Sequence, residues 1–179
     1  MATLAKRVLI GVSALLILGG AYIALIRSTP STSSPAKPTT SKHAKKSVSK
    51  LTTTELKHHP KLTYSAIIYY AIKDPQLQRW QEVNDFKAGW QVEHYATKHP
   101  TRYLVWPDQH ITAADKNLAP NWFSLQGNRV TYDSMIVHSF RKDQTATTTL
   151  TKIVARINAQ HAAQKVRQMP TKLTVLNHK

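Results

Sequence analysis

The chain has 179 residues, with 25 lysines and arginines against 9 aspartates and glutamates, a formal net charge of +16, and no cysteine. The lack of thiols excludes disulfides, thiolate metal centres, a cysteine nucleophile and a lipid-modified cysteine near the N-terminus. The charge is uneven: the first 54 residues hold eight basic and no acidic residues, leaving 17 bases against 9 acids, a net +8, on the rest.

Residues 1–7 form a polar start ending in Lys6-Arg7, and Val8 to Ile26 follow as nineteen consecutive uncharged, mostly apolar residues closed by Arg27. As a helix this run spans roughly 28 Å, close to the ~30 Å hydrocarbon thickness of a bilayer. It is longer than the apolar core of a signal peptide, and cutting after Ala24 would place Tyr22 where a small residue is needed. Residues 8–26 are therefore expected to act as an uncleaved signal anchor with the lipid bilayer as partner. Basic residues downstream outnumber those upstream, which opposes the positive-inside count. Only Arg27 lies near the membrane end, however, and long C-terminal domains translocate largely regardless of charge. The expectation is a single-pass cell-membrane protein with residues 1–7 cytoplasmic and the C-terminal domain outside.

Residues 27–54 shift to Ser, Thr, Pro and Lys, with little that can build a core. Such a segment cannot offset its ordering entropy by burial, which predicts a disordered linker. Its lysines could each gain about 1 kcal/mol beside an anionic lipid surface.

Residues 55–179 are enough for one domain with its own core. Ile67, Ile68, Ala71 and Ile72 recur at helical spacing, with Thr63 placed as a cap, and the pattern stops at Lys73. Asp74-Pro75 predicts the start of a second short helix running to about Val83, turned to the core through Leu77 and Trp80. Alternation then takes over. Trp90, Val92 and Ala96 mark one strand, Arg102 to Trp106 a second and Trp122 to Gln126 a third. Gly127-Asn128 forms a type II′ connection to a return strand from Arg129 to His138. Trp90 and Trp122 both stand in apolar phase. Thr147 to Thr149 offer caps for a helix that carries Leu150, Ile153, Val154, Ile157 and His161 on one face. Lys172 to Leu176 is too short to assign. The fold class is α+β: a four-stranded antiparallel meander with N- and C-terminal helices on one face, preceded by the membrane helix.

The segments Leu62-Thr63 through Tyr69-Tyr70, Trp122 through Tyr132, and Leu150-Thr151-Lys152 through Val166 and Lys172-Leu173-Thr174-Val175 resemble a small extracytoplasmic, often lipoprotein-like family of lactic acid bacteria with no known activity. The resemblance implies an envelope location and an α+β domain. It implies no activity, and this chain departs from the lipoprotein members by having no cysteine.

Few residues stand in a pattern that carries chemistry. His58-His59 are adjacent and point apart on a helix, and there is no His-Glu-x-x-His run. Asp108 and His110 could share one side of an extended segment, but two ligands leave a zinc site incomplete, so neither metal nor cofactor is expected. His94 and His138 fall in phase with apolar strand positions. Glu93, His94, Asp108, His110 and His138 are thus the candidates for a polar cleft. Ser124, Ser134 and Ser139 lack the Gly-x-Ser-x-Gly turn, and no phosphate-cradling glycine loop is present.

Charge remains. After Asp143 there are six basic residues and no acid, and Lys152, Arg156, Lys165 and Arg167 are the expected contacts for a polyanion. The leading expectation is a membrane-anchored envelope binding module that meets anionic wall polymers or anionic lipid. A wall-active hydrolase using carboxylates or histidines is the first alternative, and a nucleic-acid-binding module, which no motif supports, the second.

Overall fold

The computed structural model describes residues 48–117, 121–134 and 144–178. The membrane anchor, nearly all of the linker and the end of the expected return strand, His138 included, lie outside the described residues. Among the described residues no helix is long and apolar enough to cross a membrane.

Helix α1 (Thr53–His58) begins where Thr52 turns its hydroxyl to the Glu55 N–H at 3.1 Å, meeting one of the unpaired donors of the first turn. Packing starts before it, inside the stretch expected as linker. Leu51 is only 1% exposed, and its N–H and C=O both bond to the Asn158 side chain, at 2.8 and 2.9 Å. Helix α2 (Pro60–Ile72) has proline in its first turn, where a missing N–H costs nothing. It therefore begins before Thr63. The Thr63 hydroxyl donates to the Leu56 carbonyl at 2.6 Å, fastening α1 to α2. Nine of its thirteen residues are buried, so α2 is covered on most of its sides rather than along one stripe.

The expected second helix is instead a 3-10 segment, Gln78–Val83. Asp74 spends one carboxylate oxygen on the Gln76 N–H in a local turn. With three residues per turn, Leu77, Trp80 and Val83 fall on one side, and all three are buried.

Six strands form one sheet in the order β5-β4-β3-β2-β1-β6. Strands β1 (Trp90–Tyr95), β2 (Arg102–Trp106), β3 (Asn121–Gln126) and β4 (Arg129–Ser134) make the expected antiparallel meander. Gly127, at φ 56°, supplies the positive φ at the first turn position. The four-stranded expectation is corrected at both edges. Gln144–Thr149 is a strand, β5, antiparallel to β4, because its β-branched threonines suit a pleated edge; of the expected caps Thr147 to Thr149, Thr149 alone caps the helix. Leu173–His178, which takes in most of the short Lys172 to Leu176 stretch, is β6, parallel to β1, so the sheet is mixed. Between them lie α3 (Leu150–Ala159), capped by the last residue of β5 through Thr149 Oγ1 to Lys152 N–H at 3.2 Å, and α4 (Ala163–Gln168). Helix α3 buries Leu150, Ile153, Val154 and Ile157 as expected. It ends before His161, whose φ of 53° breaks the helical path and leaves it exposed.

One sheet face carries Trp90, Val92, Val105, Phe123, Val130, Tyr132 and Leu173 into the helical layer, and Tyr132 donates to the Ile67 carbonyl at 2.9 Å. The strand register places Trp122 on the opposite face, partly exposed, with the Arg102 guanidinium 4.4 Å above its ring. The shared apolar phase expected for Trp90 and Trp122 is therefore wrong.

Candidate functional site

The five residues of the expected polar cleft do not converge. Glu93 and His94 are neighbours on β1 and so point to opposite faces of the sheet. His94 stacks on Tyr103 at 4.7 Å and its Nδ1 lies 3.2 Å from Asn177 Oδ1. Asp108 bonds the His110 N–H at 2.8 Å, so that pair is a loop turn rather than a ligand set. His138 is outside the described residues. Among those residues, no group of three or more His, Asp or Glu could hold a metal ion.

What gathers around Glu93 is different. It is 5% exposed on the sheet face away from the helices. Tyr95 donates to one of its oxygens at 2.7 Å, His178 Nε2 lies 3.3 Å from the same oxygen, and the Lys116 ammonium holds the other. Lys116 also reaches Gln91 Oε1 at 2.6 Å and lies 5.4 Å over the Trp106 ring, while Gln91 donates to the Ile111 carbonyl at 3.3 Å. Burial pushes the Glu93 carboxyl up, but the Lys116 and Tyr95 hydrogen bonds and the Lys116 and His178 charges outweigh it and leave it below its ordinary value. Tyr95 is pushed up to about 12 by burial, by its bond to Glu93 and by the Glu93 charge. A carboxylate held ionised and met by three partners is not placed to give a proton. It fastens the loop of residues 107–117 onto the sheet. Lys116 had no sequence signal, being one lysine in a polar loop 23 residues from Glu93.

The four expected polyanion contacts divide in two. Arg167 makes a fork to Glu55, Nε to Oε1 at 2.7 Å and Nη2 to Oε2 at 2.8 Å, and also donates to the Ser49 and Lys50 carbonyls at 2.8 and 3.1 Å. The Arg167 hydrogen bond to Glu55 is the main reason Glu55 falls below its ordinary value and Arg167 rises above its own. Arg156 pairs with Asp74 at 3.4 Å, donates to the Lys73 carbonyl at 2.6 Å and lies 4.9 Å over the Tyr70 ring. Both guanidinium groups hold the fold together. Lys152 and Lys165 are exposed.

Lys165 belongs to a small built feature. With Lys172 it stands at a depression of about 190 Å³ whose wall includes Phe86, Trp90, Gln168 and Thr171. Its ammonium lies 3.8 Å from the Phe86 ring centre, a cation–π contact that fixes the charge. Gly89, at φ 78°, lets the start of β1 approach the Lys172 backbone so closely that a Cβ there would fall 2.9 Å from Lys172 Cβ and nearer still to its carbonyl oxygen. Asp85 is close in sequence, but its carboxylate caps the Lys87 and Ala88 N–H groups at 2.7 and 3.2 Å. Among the described residues no acid lines the depression. Lys172 was visible in sequence only as one of six late bases, and Phe86 not at all.

Comparison with family models, curated proteins and solved structures found no match.

Proposed function

We propose that this chain is a single-pass, membrane-anchored envelope protein whose C-terminal α+β domain binds anionic envelope polymers. The family resemblance noted in the sequence is in keeping with that location. The observation that carries the binding reading is the acid-free depression lined by Lys165 and Lys172, where the Lys165 ammonium is held over the Phe86 ring. A polymer that presents repeated phosphates or carboxylates seats one group there, while exposed Lys152 extends the attraction. Each neutralised charge releases counterions, so affinity falls steeply with salt. The hydrolase reading has less support, because it needs a carboxyl held toward its neutral form and Glu93 is driven the other way.

Binding of a polyglycerol phosphate to the full chain in detergent micelles provides the test. Reversing Lys165 and Lys172 to glutamate should weaken binding at least about tenfold, two charge contacts being worth more than 1.4 kcal/mol together. Reversing Lys57 and Lys61, which are also exposed, should weaken it far less. Equal losses from the two pairs would leave net charge without a site. Location is tested separately: protease added to wall-stripped intact cells should remove the domain, and protection until lysis would reverse the proposed topology.

A further inference from the structure

A second cavity lies where the 3-10 segment, the end of β2 and the loop of residues 107–117 meet. Its volume is about 310 Å³, at the small end of the roughly 300–1,000 Å³ found for ligand sites. Arg79, Val83, Trp106, Ile111, Asp115 and Asn117 contribute to its wall. Trp106 and Arg79 each keep a buried N–H, the indole Nε1 and the guanidinium Nε, with no acceptor among the described residues. Buried donors of this kind are uncommon, because each carries a desolvation cost of about 1–3 kcal/mol that nothing offsets. Neighbouring polar groups are otherwise engaged. Arg79 Nη2 pairs with Glu82 at 3.1 Å, the Asn121 amide donates to the Arg79 carbonyl at 3.0 Å and accepts from Ser134 at 2.7 Å, and Asp115 accepts from Thr112 at 2.6 Å.

We propose that this cavity is a site for one neutral sugar ring. Three properties select that class. The two unmatched groups are donors, so the ligand must bring acceptors. Asp115 and Asn117 stand in the same wall, which favours a ligand that also brings donors, and hydroxyl groups do both. Val83, Ile111 and the Trp106 ring give an apolar surface for ring carbons. Charge sets the remaining condition: Glu82 and Asp115 outnumber Arg79 in the wall, which disfavours an anion, and the unmatched N–H groups disfavour a cation. Seating the ring turns the indole edge and the guanidinium slightly, bringing each N–H onto a ligand oxygen. The volume is sufficient for one ring. This site is separate from the lysine depression, so either can fail without the other.

The four tryptophans give four indole N–H signals in a nitrogen-15 spectrum of the full chain in detergent micelles, and Trp106→Phe identifies one of them by its loss. Titration with glucose and with N-acetylglucosamine should move the Trp106 signal saturably with at least one of the two, and glucuronate should move it less. Trp106→Phe keeps an aromatic ring and removes the donor, and should weaken binding, followed by calorimetry, about fivefold, the equivalent of one hydrogen bond. Arg79→Lys keeps the charge and removes Nε; the same fall is expected, read directly on the Trp106 signal should the phenylalanine variant not fold. A Trp106 signal that stays still to concentrations on the order of tens of millimolar, or that follows glucuronate more strongly than glucose, overturns the proposal.

Discussion

Gly89 and Gly127 both hold positive φ, at 78° and 56°, but only Gly89 is hemmed in; a Cβ on Gly127 would meet nothing within 4 Å. Gly127→Ala should therefore cost only the backbone term, about 1–2 kcal/mol. Gly89→Ala adds the collision with Lys172 and should cost about 2–5 kcal/mol, the sum of that term and ordinary overpacking. Denaturant midpoints of the two variants check the difference, and equal losses would show that the approach of β1 to Lys172 is loose. Glu93 makes a second residue-scale prediction, one of pH. Its folded pKa lies below its unfolded value of about 4.3, so its contribution to stability is complete above that pH and is lost as pH falls through the lowered folded value. Glu93→Gln should make stability depend less steeply on pH below about 4.3, with the gap between wild type and variant closing as acid is added. A gap that stayed constant from neutral pH to acid would mean that the Lys116 and Tyr95 bonds do not favour the charged form. Gly89 and Glu93 owe their environments to Lys172 and Lys116, distant in sequence, whereas Gly127 is announced by its own turn.

At the scale of elements, the two tryptophans on β1 and β3 separate strand phase from strand existence. Trp90 is fully buried and its indole donates to the Val83 carbonyl at 2.7 Å. Trp90→Ala should cost about 3–5 kcal/mol through the cavity and the lost bond. Trp122→Ala, on the open face beneath Arg102, should cost about 1 kcal/mol or less, the worth of an exposed cation–π contact. Thermal or denaturant unfolding distinguishes them, and comparable costs would contradict the register of β2 with β3. Both strands were legible because alternation survives without tertiary information. The face of Trp122 was not, since an aromatic residue reads as apolar whether it enters the core or supports a guanidinium above the open sheet. The 3-10 segment is a similar case: spacing of three between Leu77, Trp80 and Val83 fits either helix type. Only packing distinguishes them. Edge strands β5 and β6 were missed because each abuts a helical segment or a proline, and short edge strands are recognised by their partners.

For the whole molecule, the basic surplus is divided between structure and surface. Arg156 and Arg167 close ion pairs with Asp74 and Glu55, and Arg167 also ties down Ser49 and Lys50 where the chain enters the domain. Reversing these arginines would break the fold's own contacts, so the binding test rests on lysines. The Glu55 pKa is lowered as that of Glu93 is, so its contribution is likewise lost as pH falls through its own folded value. By itself the sequence determined the α+β class, a helix ending at Ile72, the four-strand meander with its Gly127 turn, the inward face of α3 and a positive C-terminal region. These follow from periodicity, turn chemistry and charge, which are properties of neighbouring residues. The tertiary structure alone decided the sixfold sheet, the opposite faces of Glu93 and His94, and which cations are consumed. It also decided which lysines share a depression and which N–H groups are left without an acceptor. The partners of Arg156 and Arg167 lie 82 and 112 residues away. No local pattern encodes which distant carboxylate will stand within reach, so a charge counted in sequence becomes a site or a strut only when the chain has closed around it.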